Sequence, residues 1–360
     1  MEEVKKENLT NMNNDSKNKN TYNWGLDIIR VVAMFFVILV HSTSFYGFDG
    51  VEISSVSTFF AGVGRYLSFS CIPLFLILTG YLNSNKTPNA KYYLKLLKIF
   101  IEYLLCGIFV FFINRFCFDE AIGFGTFLIK MLTFEYLSYS WYINMFVGLF
   151  LFAPFFNYLY KAIPEKCKWW FIITLLLVFS YPHITSYWTS AYPIMYYFIG
   201  VFLKDKQFKI KKYILALCIV GICIIQTLIA RFQIPIYSVE NHNNLGCVLL
   251  SVSIFLLLSN LTLSDNNSVG LKIVKPLRII ANASLSTFLI SEIFENFTAQ
   301  MFAKLELVTF VERLPYLAYL TPLKFVLSVM IGLIITLISL LLYKLIIKCV
   351  TKIIKKSEEY

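Results

Sequence analysis

The sequence predicts an all-α protein that crosses a membrane about ten times, and three observations carry that prediction. Of its 360 residues, 58% are hydrophobic, 18% aromatic and only 15% charged, whereas a soluble domain has about 45–50% apolar and about 25% charged residues. So few polar residues cannot cover a water-soluble body of this size, and the apolar excess faces lipid. The apolar residues also fall in stretches near the ~20 residues that a helix needs to cross hydrocarbon. Finally, the basic residues cluster in alternate connecting segments. A soluble enzyme, a disordered chain and a nucleic-acid-binding module are excluded.

Residues 1–22 are rich in Asn, Lys and Glu, with four lysines set against Glu2, Glu3, Glu7 and Asp15, and read as a disordered cytoplasmic tail. Their polarity gives no cleavable signal peptide. From Trp24 onward, spans are predicted at 24–46, 57–82, 96–118, 141–160, 169–187, 189–203, 213–231, 245–263, 279–298 and 322–347. The stretch 122–137 reads as an extra re-entrant or interfacial segment. Residues 23–350 thus form one membrane domain, and 351–360 a short charged cytoplasmic tail. Pro73, Pro154 and Pro193 fall inside spans, where neighbouring helices accommodate them.

The basic residues orient the chain. With the N-terminus cytoplasmic, 24 of the 32 lysines and arginines lie in inner segments, six lie outside, and Arg30 and Arg65 lie within spans. This split follows the positive-inside rule and puts both termini in the cytoplasm of a multi-pass cell-membrane protein. The net charge of +11 is therefore topological, and no nucleic-acid partner is expected. The eight cysteines form no C-x-x-C pair and the chain has three histidines, so no zinc site is expected and the cysteines read as small hydrophobes. No repeat of about 20–50 residues is visible, which disfavours a transporter built from inverted repeats.

Ionisable groups inside spans are costly, so each is a functional candidate. In LDIIRVVAMFFVILVHS (26–42), Arg30 and His41 are eleven residues apart, which returns them to nearly one helix face about 16 Å apart along the axis. Asp27 lies one turn before Arg30, at i,i+3 spacing. Two readings are open: an anion-binding cation and an imidazole working on one face, or an arginine snorkelling to headgroups beside an interfacial histidine. Glu292, about 21 Å past Arg278 on a straight helix, has two readings as well: a carboxylate that orients His41, or a charge partner for Arg65. Glu295 is a further buried charge, and Glu102 reads as the partner of a cytoplasmic-side lysine. Lys91, Lys95 and Lys98 share a helical face; they read either as inner-loop charge with acidic lipid or as a site for a polyphosphorylated substrate. His183 and His242 read as outer-end or loop residues without chemistry.

These motifs resemble the acyltransferase family 3 membrane O-acyltransferases. The first span is similar to the family's opening helix, with its Arg-x10-His pattern met by Arg30 and His41. In order along the chain, CIPLFLILTGYL (71–82), KYYLKLLKI (91–99), SWYINMFVGLFLFAP (140–154), YYFIGVFL (196–203) and ASLSTFLIS (283–291) resemble the later motifs, over roughly residues 23–350. The chain departs from the pattern at Ser291, where many members have histidine, at Phe288, where Tyr is usual, and at Thr79, which keeps the hydroxyl of the common Ser.

The resemblance implies an acyl-CoA donor, most simply acetyl-CoA, and a carbohydrate acceptor such as a cell-envelope polysaccharide or its precursor, with no metal. It implies that Arg30, Lys91 and Lys95 hold the CoA phosphates. His41 then serves as general base or first accepts the acyl group, with Glu292 beside it. No esterase-like domain is expected after the last span, so transfer to the acceptor would be direct. A different class, a carrier or exporter of a polar small molecule or glycan lined by Arg30, Glu292 and His41, remains open at this point.

Overall fold

A chain in lipid must satisfy its backbone polar groups internally, and among the described residues every regular element is helical. The structure, a computed structural model, describes residues 23–120, 122–181, 186–234, 240–261 and 268–357. The predicted tail over 1–22 and His183 lie outside the described residues, as does the end of the predicted tail at 358–360. The helices are α1 (Gly25–Phe45), α2 (Val56–Ser68), α3 (Cys71–Asn83), α4 (Ala90–Tyr93), α5 (Lys95–Cys117), α6 (Phe124–Leu132) and α7 (Trp141–Ala162). They continue with α8 (Lys168–Ser180), α9 (Tyr192–Lys206), α10 (Lys212–Arg231), α11 (Leu245–Ser259), α12 (Ser268–Asn282), α13 (Ser284–Lys304) and α14 (Phe310–Ser357).

Among the described residues, six segments are long and apolar enough to cross a bilayer: α1, α2 with α3, α4 with α5, Ser138–Ala162 containing α7, α10, and Phe310–Cys349 within α14. Val274–Asn282 and Ser284–Lys304 add a seventh if this pair, bent by 67°, counts as one crossing. The predicted span 279–298 is therefore not a straight helix. The chain turns sharply at Ala283 between α12 and α13, although the helix-breaking Pro276 lies inside α12. At 13, 15 and 15 residues, α8, α9 and α11 are shorter than a standard span. The stretch 122–137 contains only the nine-residue α6.

Local chemistry explains the ends of the early helices. The Asn23 side chain accepts from the Gly25 N–H and donates to the Ser259 carbonyl, so it caps α1 and ties it to α11. Ser55 and Thr58 form a reciprocal capping box at the start of α2. Between α2 and α3 the Ser68 and Ser70 hydroxyls take up the Arg65 and Leu67 carbonyls. Pro73 has no N–H to offer the Phe69 carbonyl four residues back. That carbonyl accepts instead from His242 Nδ1 at 3.0 Å and Cys247 Sγ at 3.5 Å. The proline that breaks the helix thereby creates the attachment point for the loop before α11.

α1 runs through the middle of the bundle, packed against α2, α3, α11, α12, α13 and α14, with Ile29, Ala33, Met34 and Val37 fully buried. The tightest crossing is that of α3 and α9. A Cβ on Gly80 would lie 2.0 Å from the Tyr197 carbonyl oxygen, and one on Gly200 would lie 2.0 Å from that of Ile77. Small residues allow such backbone approach where lipid offers no hydrophobic drive for helix association. Gly200→Ala must push two helix backbones apart. A loss of about 1–3 kcal/mol is expected from overpacking, read as a lower unfolding temperature in detergent. An unchanged temperature would contradict the close crossing.

Candidate functional site

Because α1 is one uninterrupted helix, the phase between Arg30 and His41 survives in the fold. Arg30 donates to Asp27 at 2.6 Å, the i,i+3 pair expected from their spacing. Arg30 also lines a cavity of about 250 Å³ between α1, α3, α5, α7 and the bend between α12 and α13. Ile72 near the start of α3 and Asn83 at its end both line this cavity, so it follows α3 for about 16 Å, the rise of eleven residues. Arg30, Lys98, Glu102, Asn282 and Ser284 supply its polar lining, and Tyr142, Phe146 and Phe288 are among its aromatic walls. Thr79 also lines it while its hydroxyl donates to the Phe75 carbonyl within the same helix.

His41 lies beyond the aromatic walls. Its imidazole stacks on the Tyr139 ring, with centroids 4.3 Å apart, and Tyr139 stacks in turn on Phe288 at 5.2 Å. Neither imidazole nitrogen has a hydrogen-bond partner among the described residues. Tyr139 sits in the single 3-10 turn Ser138–Ser140 that leads into α7. Glu292 fixes this turn: its carboxylate accepts the Ser138 N–H at 2.9 Å and the Ser138 hydroxyl at 2.5 Å. Glu292 therefore reaches His41 through the turn that carries the stacked ring, and not by a hydrogen bond. The bend at Ala283 changes the depth argument too, since Glu292 lies only about 12 Å along α13 from Ser284.

Glu292 does not pair with Arg65. The buried Arg65 guanidinium donates to Asp49, to Glu240 at 2.9 Å, and to the Thr43 and Ser44 hydroxyls at the end of α1. It lies over the Phe48 and Phe69 rings. His242, two residues past Glu240, gives its Nδ1 proton to the Phe69 carbonyl, which as a pure acceptor fixes the tautomer. Burial lowers its pKa, and the bond to Phe69 partly offsets this. The sequence reading assigned His242 no chemistry, and the fold gives it this anchoring bond.

The three basic residues leading into α5 separate. Lys98 lines the cavity and lies 4.0 Å from the buried Glu102. Lys91 and Lys95 are exposed and do not line it, and the Lys95 ammonium sits 5.8 Å above the Tyr92 ring. Glu102 accepts from the Ser286 and Thr336 hydroxyls at 2.6 and 3.0 Å, joining α5, α13 and α14. Ser291, at the position where a histidine was expected from the resemblance, spends its hydroxyl on the Phe288 carbonyl of its own helix.

A second polar group was not assembled from the sequence. Glu295 of α13 takes the Lys324 ammonium of α14 at 2.5 Å and the Ser42 hydroxyl at 3.0 Å. Glu295 and Lys324 have side chains 1% and 4% exposed, and Ser42 directly follows His41. Lys324 is the third residue of the span predicted at 322–347, although it is one of the six basic residues placed outside by the charge count. Its position inside that span was the available signal.

The acyltransferase 3 family model, described as an acyltransferase domain, matches residues 23–343. The chain belongs to the acyltransferase 3 family. No curated protein and no solved structure matches it. The family match runs from the start of α1 into α14 and takes in Arg30, His41, Tyr139, Glu292 and the cavity. This acyltransferase 3 protein is a multi-pass helical membrane acyltransferase.

Proposed function

We propose that this acyltransferase 3 protein is an O-acetyltransferase of the cell membrane, moving an acetyl group from cytosolic acetyl-CoA to a hydroxyl of a cell-surface glycan or its precursor. The observation that carries the reading is the cavity along α3, with Arg30 and Lys98 in its lining and His41 stacked behind its aromatic wall through Tyr139 and Phe288. A guanidinium grips phosphate with paired N–H groups, and Lys91 and Lys95 add charge on the segment that leads to Lys98. At about 250 Å³ the cavity is near the lower end of small-molecule pockets, which span roughly 300–1,000 Å³. That suits a narrow pantetheine arm with the nucleotide outside. The aromatic walls favour a slender organic arm over a free ion.

In this reading His41 takes the proton of the acceptor hydroxyl as its oxygen attacks the acyl carbon, and the carbon–sulfur bond to CoA breaks. The alternative order, with the imidazole as first acyl acceptor, uses the same residue. The topology proposed with it has ten crossings and both termini cytoplasmic, which requires α8, α9 and α11 each to cross despite their length. Residues 23–350 then make up the membrane domain, with short cytoplasmic tails at 1–22 and 351–360. Neighbouring lipid covers the outer helix faces.

The test uses the full-length protein in lipid nanodiscs with labelled acetyl-CoA. Acetyl-CoA consumption is expected, with a mass gain of 42 daltons per acetyl on envelope glycan from cells carrying the gene. Arg30→Lys keeps the charge but loses the planar fork. It is expected to raise KM for acetyl-CoA by about tenfold, the worth of roughly 1.4 kcal/mol, with little change in kcat. Glycan movement across vesicles without acetyl-CoA consumption would overturn the proposal.

A further inference from the structure

We propose that the Tyr139 phenol is the hydrogen-bond donor that receives the carbonyl oxygen of the acyl group during transfer; this rests on the acyl-transfer reading above. Tyr139 is 4% exposed, and its hydroxyl has no hydrogen-bond partner among the described residues. A buried hydroxyl left unpaired costs about 1–3 kcal/mol, so native folds keep few of them. This one is also held firmly. Its ring stacks on both the His41 imidazole and Phe288, with interplanar angles of 29° and 16°. The turn that carries it is anchored at Ser138 by Glu292 and at Ser140 by bonds from its hydroxyl to the Phe134 and Leu137 carbonyls.

A pinned phenol with a free O–H, in van der Waals contact with the histidine, meets the requirement for stabilising a developing negative charge. The donor is oriented beforehand and shielded from water, so it need not reorganise as charge builds up. Phe288, the second ring stacked on Tyr139, is itself a wall of the cavity that Arg30 lines. Of the three stacked rings Phe288 is the one that lines the cavity, so an acyl group carried along it meets the stack at Phe288.

The step balances without a further reagent. The acceptor oxygen bonds to the acyl carbon, the π electrons of the carbonyl move onto its oxygen, and the acceptor proton passes to His41. The tetrahedral centre then collapses, the carbon–sulfur bond breaks, and His41 returns the proton to the CoA sulfur. Tyr139 keeps its proton throughout and donates a hydrogen bond that is strongest while the oxygen is negative.

Tyr139→Phe removes the hydroxyl and keeps both ring stacks. The assay is CoA thiol release from acetyl-CoA by the full-length protein in nanodiscs, with methyl glucoside and water as acceptors, alongside His41→Ala. A fall in kcat of about 10²–10³ is expected for loss of one such donor, with KM for acetyl-CoA within about twofold and no drop in unfolding temperature. A structural role for the hydroxyl would instead lower that temperature. If His41→Ala is inactive while Tyr139→Phe keeps a third or more of the wild-type kcat, this inference fails and the proposed function stands. A wild-type protein that releases no CoA overturns both.

Discussion

His41→Ala is expected to abolish acyl transfer while leaving the protein folded and inserted. A positioned general base contributes about 10²–10⁴ in rate, and a residue that also carried the acyl group would contribute more. The folding side of the prediction follows from how little the imidazole does structurally. Its nitrogens have no hydrogen-bond partner among the described residues, and its ring stacks on Tyr139, a contact worth about 0.5–1.5 kcal/mol. The measurements are label transfer from acetyl-CoA and the unfolding temperature of the purified chain. A pulse of labelled acetyl-CoA without acceptor separates the two routes: protein-bound label that disappears in His41→Ala marks an acyl-imidazole. Transfer at the wild-type rate by His41→Ala would remove the basis of the site.

The largest effect on stability is expected from Glu295→Ala. The variant leaves the Lys324 ammonium without its carboxylate, in a side chain that is 4% exposed. Breaking a buried pair from one side costs about 3–5 kcal/mol, because a charge stays behind uncompensated. The loss would appear as a large drop in unfolding temperature and in yield of monodisperse protein. Adding Lys324→Met should recover much of it, since removing both charges avoids the uncompensated ion. Equal instability in the single and double variants would show that the pair is not what joins α13 to α14 at this level. Ser42, which also donates to Glu295, links the same pair to the helix that carries His41, so activity in the single variant should fall with the folded fraction.

The parts of the site that lie on one helix were legible in the sequence. The spacing of Arg30 and His41 depends only on the pitch of α1, and the Arg30–Asp27 pair only on i,i+3 geometry. The family resemblance carried the same residues, and the match over 23–343 bears it out at the level of the family. What joins different helices was not legible. Glu295 and Lys324 meet across α13 and α14, and no periodicity predicts that meeting. Glu292 carried two readings; the fold gives Asp49 and Glu240 to Arg65 and Ser138 to Glu292. Tyr139 is one of 23 tyrosines in a chain with 35 phenylalanines, so its residue type carried no signal, and only its place between His41 and Phe288 distinguishes it. The bend at Ala283 was missed for a similar reason. Neither proline nor glycine stands there, and the nearest proline lies within α12.

That bend has an electrostatic consequence for the cavity. A straight helix through 279–298 would hold its peptide dipoles in one continuous column, with every N–H inside the membrane satisfied by the turn before it. Breaking the column at Ala283 starts a new helix at Ser284, and Ala283 supplies no side-chain cap. The first-turn N–H groups of a helix have no partner within it, and their summed partial charge is about half a positive unit. Ser284 and Leu285, in that first turn, line the same cavity as Arg30 and Lys98. The break thus sets the positive start of α13 beside the negative end of α12 at Asn282, which lines the same cavity, and neither pole snorkels or titrates.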